Sequence, residues 1–303
     1  MQMEEIASGL EFPEGPIAMD DGSVILVEIK RGTLTRVQPD GSTETIAELG
    51  GGPNGAAIGP DGAVYVCNNG GFEWHDVDGL TVPGGRPENY SGGRIERVDL
   101  KTGEVTVLYT ACDGVPLNGP NDIVFDKSGG FWFTDLGKHY DGIKELGALF
   151  YARPDGSSIK RVVFPIETPN GVGLSPDETV VYVASTETGR LWAFDIAGEG
   201  AINPAGPPNQ GRFICNPAGL NYFDSLAVDA EGNVCVATIF NGGITSISPD
   251  GSYEHFPTDD FITTNICFGG ADLKTAYLTL SSTGRLVKCQ WPRAGLALNF
   301  LNK

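Results

Sequence analysis

The chain has 303 residues, a formal net charge of −19 at pH 7, and 43 glycines and 20 prolines spread along its length. This length is within the range of single closed all-β domains, and the composition is that of a folded chain dense in turns. Phosphate groups would be repelled by the negative charge, which excludes nucleic acid and anionic membranes as expected partners. We expect one domain, residues 1–303, for which a bound cation is a better candidate than a polyanion.

The first ten residues, MQMEEIASGL, contain no basic region and no long apolar run. No later stretch approaches the roughly 18 consecutive apolar residues of a membrane helix. We therefore expect a cytoplasmic protein. Its six cysteines form no CxxC pair and no zinc-like spacing, so we expect them to be reduced and without a functional role.

One pattern occurs six times along the chain and predicts the fold. Each copy has a polar residue, a short apolar run, a turn residue about seven positions later and a second apolar run. Glycine follows the turn residue in four copies, as tight β-hairpin turns require. Each copy is therefore predicted to be a pair of antiparallel strands. The six polar residues that open the copies are Glu14, Asn54, Asn121, Asn170, Asp224 and Asn265.

A third run opening on glycine follows each pair, and a fourth run follows in most copies, as in TVLYTA and YEHFPT. Four strands per unit, repeated six times, indicate an all-β, six-bladed β-propeller. The last copy has no clear fourth strand, whereas the N-terminal EEIASGL is an unpaired strand-like segment. We predict that this N-terminal strand closes the last blade, because closure removes two exposed sheet edges.

The six opening residues would begin the innermost strand of every blade and point to one space on the axis. A single Asn-Gly at a strand start is usually a local turn, but turn chemistry does not require an oxygen-bearing side chain in all six copies. Six oxygen donors, two of them carboxylates, without Cys or His, favour Ca²⁺, with Mg²⁺, Mn²⁺ or Zn²⁺ as alternatives. The pattern predicts one divalent ion on the axis.

Two insertions are predicted to overhang this ion. The distance from the opening residue to the third-run glycine is 18 or 19 residues in four copies, but it is 39 from Asn54 to Gly93 and 26 from Asn121 to Gly147. Long loops on a rigid scaffold are where substrate pockets are built. A loop histidine can be a proton shuttle or merely solvated, and loop aromatics can contact substrate or only anchor the loop. The candidates are Phe72, Trp74, His75 and His139.

Four stretches, FPEGP, GPNDIVFDKSGGFWFTD, TPNGVGLSPDETVVYVAST and FDSLAVDAEGNVCVAT, resemble those of the gluconolactonase and senescence-marker-protein (regucalcin) family. The resemblance covers nearly the whole chain, with the motifs in the family's order. It implies a six-bladed propeller of metal-dependent hydrolases, mostly lactonases, with diisopropylfluorophosphatase as a structural relative. The metal ligands that it implies are four members of the predicted ring, namely Glu14, Asn121, Asn170 and Asp224.

The sequence departs from the family at one position. Sugar-lactone members carry an arginine two residues before the PND-type asparagine, where this chain has Gly119. A sugar lactone is therefore not implied. With a cation polarising the lactone carbonyl, Asp224 is expected to activate water or to attack directly, and His139 is a second candidate for proton transfer. Asn54 and Asn265 would complete the outer shell or orient the substrate.

Three other functions remain open from the sequence. The same site would permit a phosphotriesterase reaction of the diisopropylfluorophosphatase type. A propeller of this kind can also carry out non-hydrolytic chemistry on a small molecule, or it can be a binding module without catalysis.

Overall fold

Six antiparallel sheets surround a central channel in the computed structural model, which describes residues 1–303 and contains no helix. The six-bladed propeller predicted from the repeats is confirmed. Blades 1, 2, 3, 5 and 6 have four strands each, whereas the third strand of blade 4 pairs with two separate outer segments.

The strands of each blade follow one another from the axis outwards. They are Pro13–Ala18, Val24–Glu28, Thr33–Val37 and Thr43–Glu48 in blade 1; Pro53–Ile58, Val64–Asn68, Arg94–Val98 and Val105–Tyr109 in blade 2; and Pro120–Phe125, Phe131–Asp135, Gly147–Ala152 and Ile159–Ile166 in blade 3. They are Pro169–Leu174, Val180–Ser185, Arg190–Gly198, Ala201–Asn203 and Arg212–Cys215 in blade 4; Tyr222–Val228, Val234–Ile239, Gly243–Ile247 and Tyr253–Pro257 in blade 5; and Thr263–Gly269, Thr275–Leu280, Arg285–Gln290 and Met3–Ala7 in blade 6.

Three small hairpins lie outside the blades. They pair Trp74–Val77 with Leu80–Pro83, Ala111–Cys112 with Val115–Pro116, and His139–Tyr140 with Ile143–Lys144.

The propeller is closed by its N-terminal strand, as the sequence predicts. Met3–Ala7 pairs antiparallel with Arg285–Gln290, so that Met3 lies opposite Cys289 and Glu4 opposite Lys288. The sixth sheet therefore combines the two ends of the chain. This pairing covers the edge that Arg285–Gln290 would otherwise expose.

The hydrophobic core consists of six clusters, one at each interface between neighbouring blades. In the cluster between blades 2 and 3, for example, the rings of Phe133 and Phe150 stack with centroids 4.9 Å apart, and Tyr65 meets Phe125 edge-on at 5.0 Å. Truncation of a buried ring such as Phe133 to alanine costs about 3–5 kcal/mol of stability. These interfaces fix the angle between blades and hence the positions of the inner strands.

Close packing of the inner strands brings the opening residues together. Each inner strand contacts those of both neighbouring blades, and the ring of contacts is closed. A Cβ atom at Gly55 would lie 2.5 Å from the carbonyl oxygen of Asn121, and one at Gly171 would lie 2.7 Å from that of Asp224. Glycine is therefore required after Asn54 and after Asn170 by the approach of the next blade.

We call the end of the channel at which the inner strands begin the upper face. Residues 296–303 lie at the lower end, where the Asn299 side-chain amide donates to the Phe125 carbonyl at 3.1 Å and to a Glu178 carboxylate oxygen at 2.9 Å. Mostly apolar side chains line the channel between this segment and the upper face, with Asp122 and Asn265 among the polar ones. The structure has no helix that is long and apolar enough to span a membrane.

Candidate metal and substrate site

A β-bulge lies at the start of every inner strand, at or next to the opening residue. The register of the pair formed by the first two strands shifts between Glu14 and Ile17 in blade 1, and at the equivalent place in the other five blades. Bulges bend a strand and re-aim its side chains, and they are common beside active sites. The repeated bulge explains how one residue of each strand leaves the regular alternation and faces the axis. We refer to Glu14, Asn54, Asn121, Asn170, Asp224 and Asn265 as the axial ring.

Five members of the axial ring are buried, and Asp224 is partly exposed. The Asn265 side-chain amide donates to Glu14 Oε2 at 2.7 Å, and the Gly15 amide donates to the same oxygen at 2.5 Å. Because Asn265 Oδ1 accepts from the Ile266 amide at 2.7 Å, both polar ends of this side chain are engaged. Asn265 therefore orients Glu14, and one of the two lone pairs of its own oxygen is already occupied.

Asn170 and Asn121 differ in how their side chains are held. Asn170 Nδ2 donates to the Thr186 hydroxyl at 3.1 Å, and the Ser225 hydroxyl lies 3.5 Å from Asn170 Oδ1. Asn121 Oδ1 is buried without a hydrogen-bond partner, and the Asn54 side chain forms no hydrogen bond within the chain. An orphaned buried oxygen is costly unless something absent from the protein itself satisfies it.

Three acidic groups lie close enough to affect one another. Burial, and then the charge of Asp224, raise the pKa of Glu14 well above its ordinary value, against the hydrogen bond from Asn265. Burial raises the pKa of Asp224 to about 7, and the charge of Asp122 adds to this effect while Asn170 opposes it. Water at the exposed edge of Asp224 moderates the effect of burial.

Asp122 extends the acidic group below the axial ring. Burial raises its pKa to about 7, although its carboxylate accepts hydrogen bonds from the Val172 amide at 3.1 Å and the Ile123 amide at 2.9 Å. Neither Asp122 nor Glu14 nor Asp224 forms an ion pair with a lysine, arginine or histidine. Such a group of buried carboxylates favours either protonation or a bound cation.

The residues present fit a hard divalent cation. Glu14 Oε1, like Asn121 Oδ1, is buried without a partner, and every side chain of the ring offers oxygen. No three His, Cys, Asp or Glu side chains converge anywhere in the chain as a metal cluster. An ion held here would therefore use both carboxylates and amides, which suits a cation that accepts six to eight oxygen ligands in a loose geometry. Glu14, Asn121, Asn170 and Asp224 are the ring members that could hold it.

The blade 2 insertion crosses the upper face toward blade 6, where the Thr81 amide donates to the Ser282 carbonyl at 3.0 Å. Trp74 packs on Phe12 and Phe72, with ring centroids 5.0 Å and 6.1 Å apart. These contacts anchor the insertion and account for the rings of Phe72 and Trp74. His75 is exposed in the same hairpin.

Neither candidate histidine has a hydrogen bond to the axial ring. The His139 side chain is exposed in the blade 3 insertion, and its backbone carbonyl accepts a hydrogen bond from the Arg86 amide at 2.9 Å. The structure thus brings the six ring residues to one place but leaves His139 and His75 as solvated loop side chains.

Lys138 is a residue of this region that sequence reasoning missed. It is 4% exposed, and its Nζ donates to Asn69 Oδ1 at 3.0 Å and to the Gly71 carbonyl at 2.7 Å while lying 3.9 Å over the Phe72 ring. Burial lowers its pKa to about 7. Lys138 thus joins the two insertions. Nothing in the local sequence distinguishes Lys138 from a solvated loop lysine. Sequence reasoning also missed Asp122, which could have been noticed because it is the only acidic residue directly after a ring position.

Gly119 has no room for a side chain. A Cβ atom there would lie 2.6 Å from the Gly137 carbonyl oxygen, and the Gly119 amide donates to Asp135 Oδ1 at 2.7 Å. The backbone around Gly119 therefore accepts only glycine. The arginine of the sugar-lactone pattern could not occupy this position without a backbone shift.

Comparison with known proteins agrees with this architecture. A gluconolactonase of Zymomonas mobilis is 28% identical over 276 residues, which cover 82% of this chain and 70% of the relative. Lactonase drp35 of Staphylococcus saprophyticus is 30% identical over 253 residues, with the same two coverages. The solved structure of a gluconolactonase from Xanthomonas campestris superposes with a TM-score of 0.74 at 22% identity, covering 96% of this chain and 89% of that one. The model of the SMP-30/Gluconolactonase/LRE-like region matches residues 12–282, and the chain belongs to this family.

Proposed function

We propose that the chain is a hydrolase that opens lactones with the help of one divalent cation, Ca²⁺, held by the axial ring. One observation carries the proposal: Glu14 and Asp224 converge with Asn121 and Asn170 without any cationic side chain, and two of their oxygens are buried without a partner. The relatives named as gluconolactonase and lactonase support the choice of substrate. The oxygen-only donor set supports Ca²⁺ over softer metals.

Each ring residue has a distinct part in this proposal. Glu14, held by the Asn265 amide and the Gly15 amide, balances the charge of the ion. Asn121 and Asn170 contribute neutral oxygens. A bound divalent cation would supply Lewis-acid polarisation of the lactone carbonyl, which is worth several kcal/mol of charge stabilisation.

Asp224 is the residue that handles the proton. It is the only ring carboxylate with partial access to the upper face, where a substrate would enter. With a cation bound beside it, Asp224 would stay ionised at neutral pH, because opposite charge lowers a carboxyl pKa. From this position Asp224 accepts a proton from the attacking water as a general base, and it later returns that proton to the ring oxygen that leaves.

The decisive experiment is a panel of lactones assayed by release of protons from the product acid, with and without a chelator. We expect hydrolysis that disappears on chelation and returns with added Ca²⁺. Elemental analysis of the purified protein should show about one divalent ion per chain. Full activity in a metal-free preparation would disprove the role of the ion, and the absence of turnover on every lactone while a fluorophosphate is hydrolysed would disprove the substrate class.

A further inference from the structure

Three aromatic side chains form an exposed cluster on the upper face of blades 5 and 6. The rings of Tyr222 and Phe240 meet edge-on with centroids 4.9 Å apart, and Phe240 stacks with Phe261 at 6.4 Å. Phe240 is 46% exposed and Phe261 is 36% exposed. We call these three residues the aromatic platform. Two of the three rings are exposed and Tyr222 is partly exposed, so the group forms an apolar surface of the kind found at ligand-binding sites.

The aromatic platform adjoins the proposed base. Tyr222 and Asp224 belong to the same inner strand, and the intervening Phe223 is fully buried in the core between blades 4 and 5. Tyr222 and Asp224 are two residues apart on this strand, which corresponds to about 7 Å along it. Phe240 directly follows Ile239, which pairs with Tyr222. The platform therefore begins two residues from Asp224 on the same inner strand.

The backbone holds this cluster in an unfavourable conformation. Phe240 has φ of 68°, in the left-handed region, where a bulky residue is rare. Its amide donates to the Phe261 carbonyl at 2.7 Å, which fixes the two loops to each other. Strain of this kind persists where the surroundings impose it, and it is concentrated at functional sites.

The loop that carries Phe261 is clamped by a buried carboxylate. Asp260 accepts hydrogen bonds from the Ile262 amide at 2.8 Å and from the Thr283 amide at 3.0 Å and hydroxyl at 2.7 Å. These bonds tie the loop to blade 6. A rigid aromatic surface loses little conformational entropy on binding, and it can therefore select a ligand by shape.

We propose that the aromatic platform binds an apolar, preferably aromatic, substituent of the lactone substrate and so selects such lactones over hydroxylated ones. This inference rests on the proposed lactone hydrolysis. The occupant follows from two features: the platform lies beside Asp224 in the chain, and its surface consists of aromatic rings.

The test compares γ-butyrolactone with its γ-phenyl derivative in wild type, Phe240→Asn and Phe240→Gly. Both replacements tolerate positive φ, so the backbone should keep its shape. We expect kcat/KM for the phenyl lactone to fall about tenfold, mainly through KM, and that for γ-butyrolactone to change less than about twofold. Phe213→Asn removes an exposed ring from the outer part of blade 4 and should change neither value. Equal loss on both lactones, or loss on neither, would overturn the proposal.

A binding measurement separates this proposal from the lactonase proposal. The γ-phenyl lactam, which is not hydrolysed, should bind to wild type about tenfold more tightly than to Phe240→Asn in calorimetry. If neither lactone is hydrolysed but this difference in Kd remains, the lactonase proposal fails and the platform stands as a binding site. If Phe240→Asn binds the lactam as wild type does and instead changes the oligomeric state in sedimentation, the platform is a contact between copies and the inference is wrong.

Discussion

The side-chain amide of Asn265 donates a hydrogen bond to the carboxylate of Glu14 at 2.7 Å, although 251 residues separate them in the chain. Glu14 belongs to the first blade and Asn265 to the sixth, so the axial ring is completed across the boundary between the two ends of the repeat. Asn265 has both polar ends engaged, so in the proposed metal site it would act through the orientation of Glu14.

Replacement of Asn265 by alanine should weaken metal binding without abolishing it. Residues that orient a metal ligand typically contribute 10- to 100-fold in affinity, so we expect a loss of about that size in Ca²⁺ affinity by calorimetry. Stability should fall by about 1–3 kcal/mol, because a buried carboxylate loses its donor. An unchanged affinity would show that the Gly15 amide alone is sufficient to hold Glu14.

Asn121→Ala and Asn54→Ala form a matched pair, since both asparagines are buried ring members of neighbouring blades. We expect Asn121→Ala, like Asn170→Ala, to lower metal content and activity together, because each removes an oxygen ligand. Asn54→Ala should leave the metal largely bound. The measurement is metal content after gel filtration, and complete metal loss in Asn54→Ala would refute the division of the ring into four ligands and two supporting residues.

Asp224→Asn separates two roles of one side chain, because it keeps size and one oxygen donor but removes charge and basicity. If Asp224 moves the proton, the variant should fold and bind metal at least partly while kcat falls by about 10²-fold or more. Saturating Ca²⁺ should not restore the rate. Recovery of nearly the wild-type kcat under that condition would leave Asp224 as a ligand only and would transfer the proton role to another group.

Metal-free protein should lose stability as pH rises from about 4 to about 7. The pKa of Asp224 and that of Asp122 are about 7 in the fold against 3.8 in the unfolded chain, so between these values the folded state holds more protons. The contribution of these groups is therefore fully present below about pH 4 and is lost by about pH 7. Added Ca²⁺ competes with the protons and should raise Tm more at about pH 7.5 than at about pH 5. A shift in Tm that is independent of pH would contradict this account.

Lys138→Met tests a pH dependence of stability with the opposite sign, in which stability rises with pH. Burial lowers the pKa of Lys138 to about 7, against the charges of Asp135 and Glu145, so above pH 7 the folded state holds fewer protons than the unfolded one. Stability from this group should therefore rise with pH between about 7 and 10. The difference in Tm between wild type and Lys138→Met should move in favour of wild type across that window, whereas the exposed Lys160→Met should show no such trend.

Repetition explains why the ring could be read from the sequence. Taken alone, Asn121 or Asn170 cannot be distinguished from an ordinary turn residue. Six copies aligned in one register show that an oxygen-bearing residue occurs at this position in every blade, and this predicts the ring. The role of the N-terminal strand is predictable for the same reason, because the sixth copy lacks a fourth strand and the N-terminal segment can supply it. Periodicity reports only what every blade shares.

Features that occur once could not be read in this way. The burial of Lys138 depends on two insertions folding against each other, and no local pattern encodes that contact. The positive φ of Phe240 could not be predicted, because Gly242 and Gly243 follow it and are the residues that one would expect to adopt positive φ in this turn. His139 and His75 are candidates from residue type alone, and type does not determine whether a loop side chain turns inward.

The N-terminal strand also constrains synthesis of the chain. Met3–Ala7 leaves the ribosome long before Arg285–Gln290, so this early strand must wait for its partner until the sixth blade has been made. Contacts of such long range form slowly, because the loop between them must be ordered first. Asn265 reaches Glu14 through the same late event, and a nascent chain that stops before blade 6 would therefore display five blades with an open sheet edge and an incomplete ring of ligands.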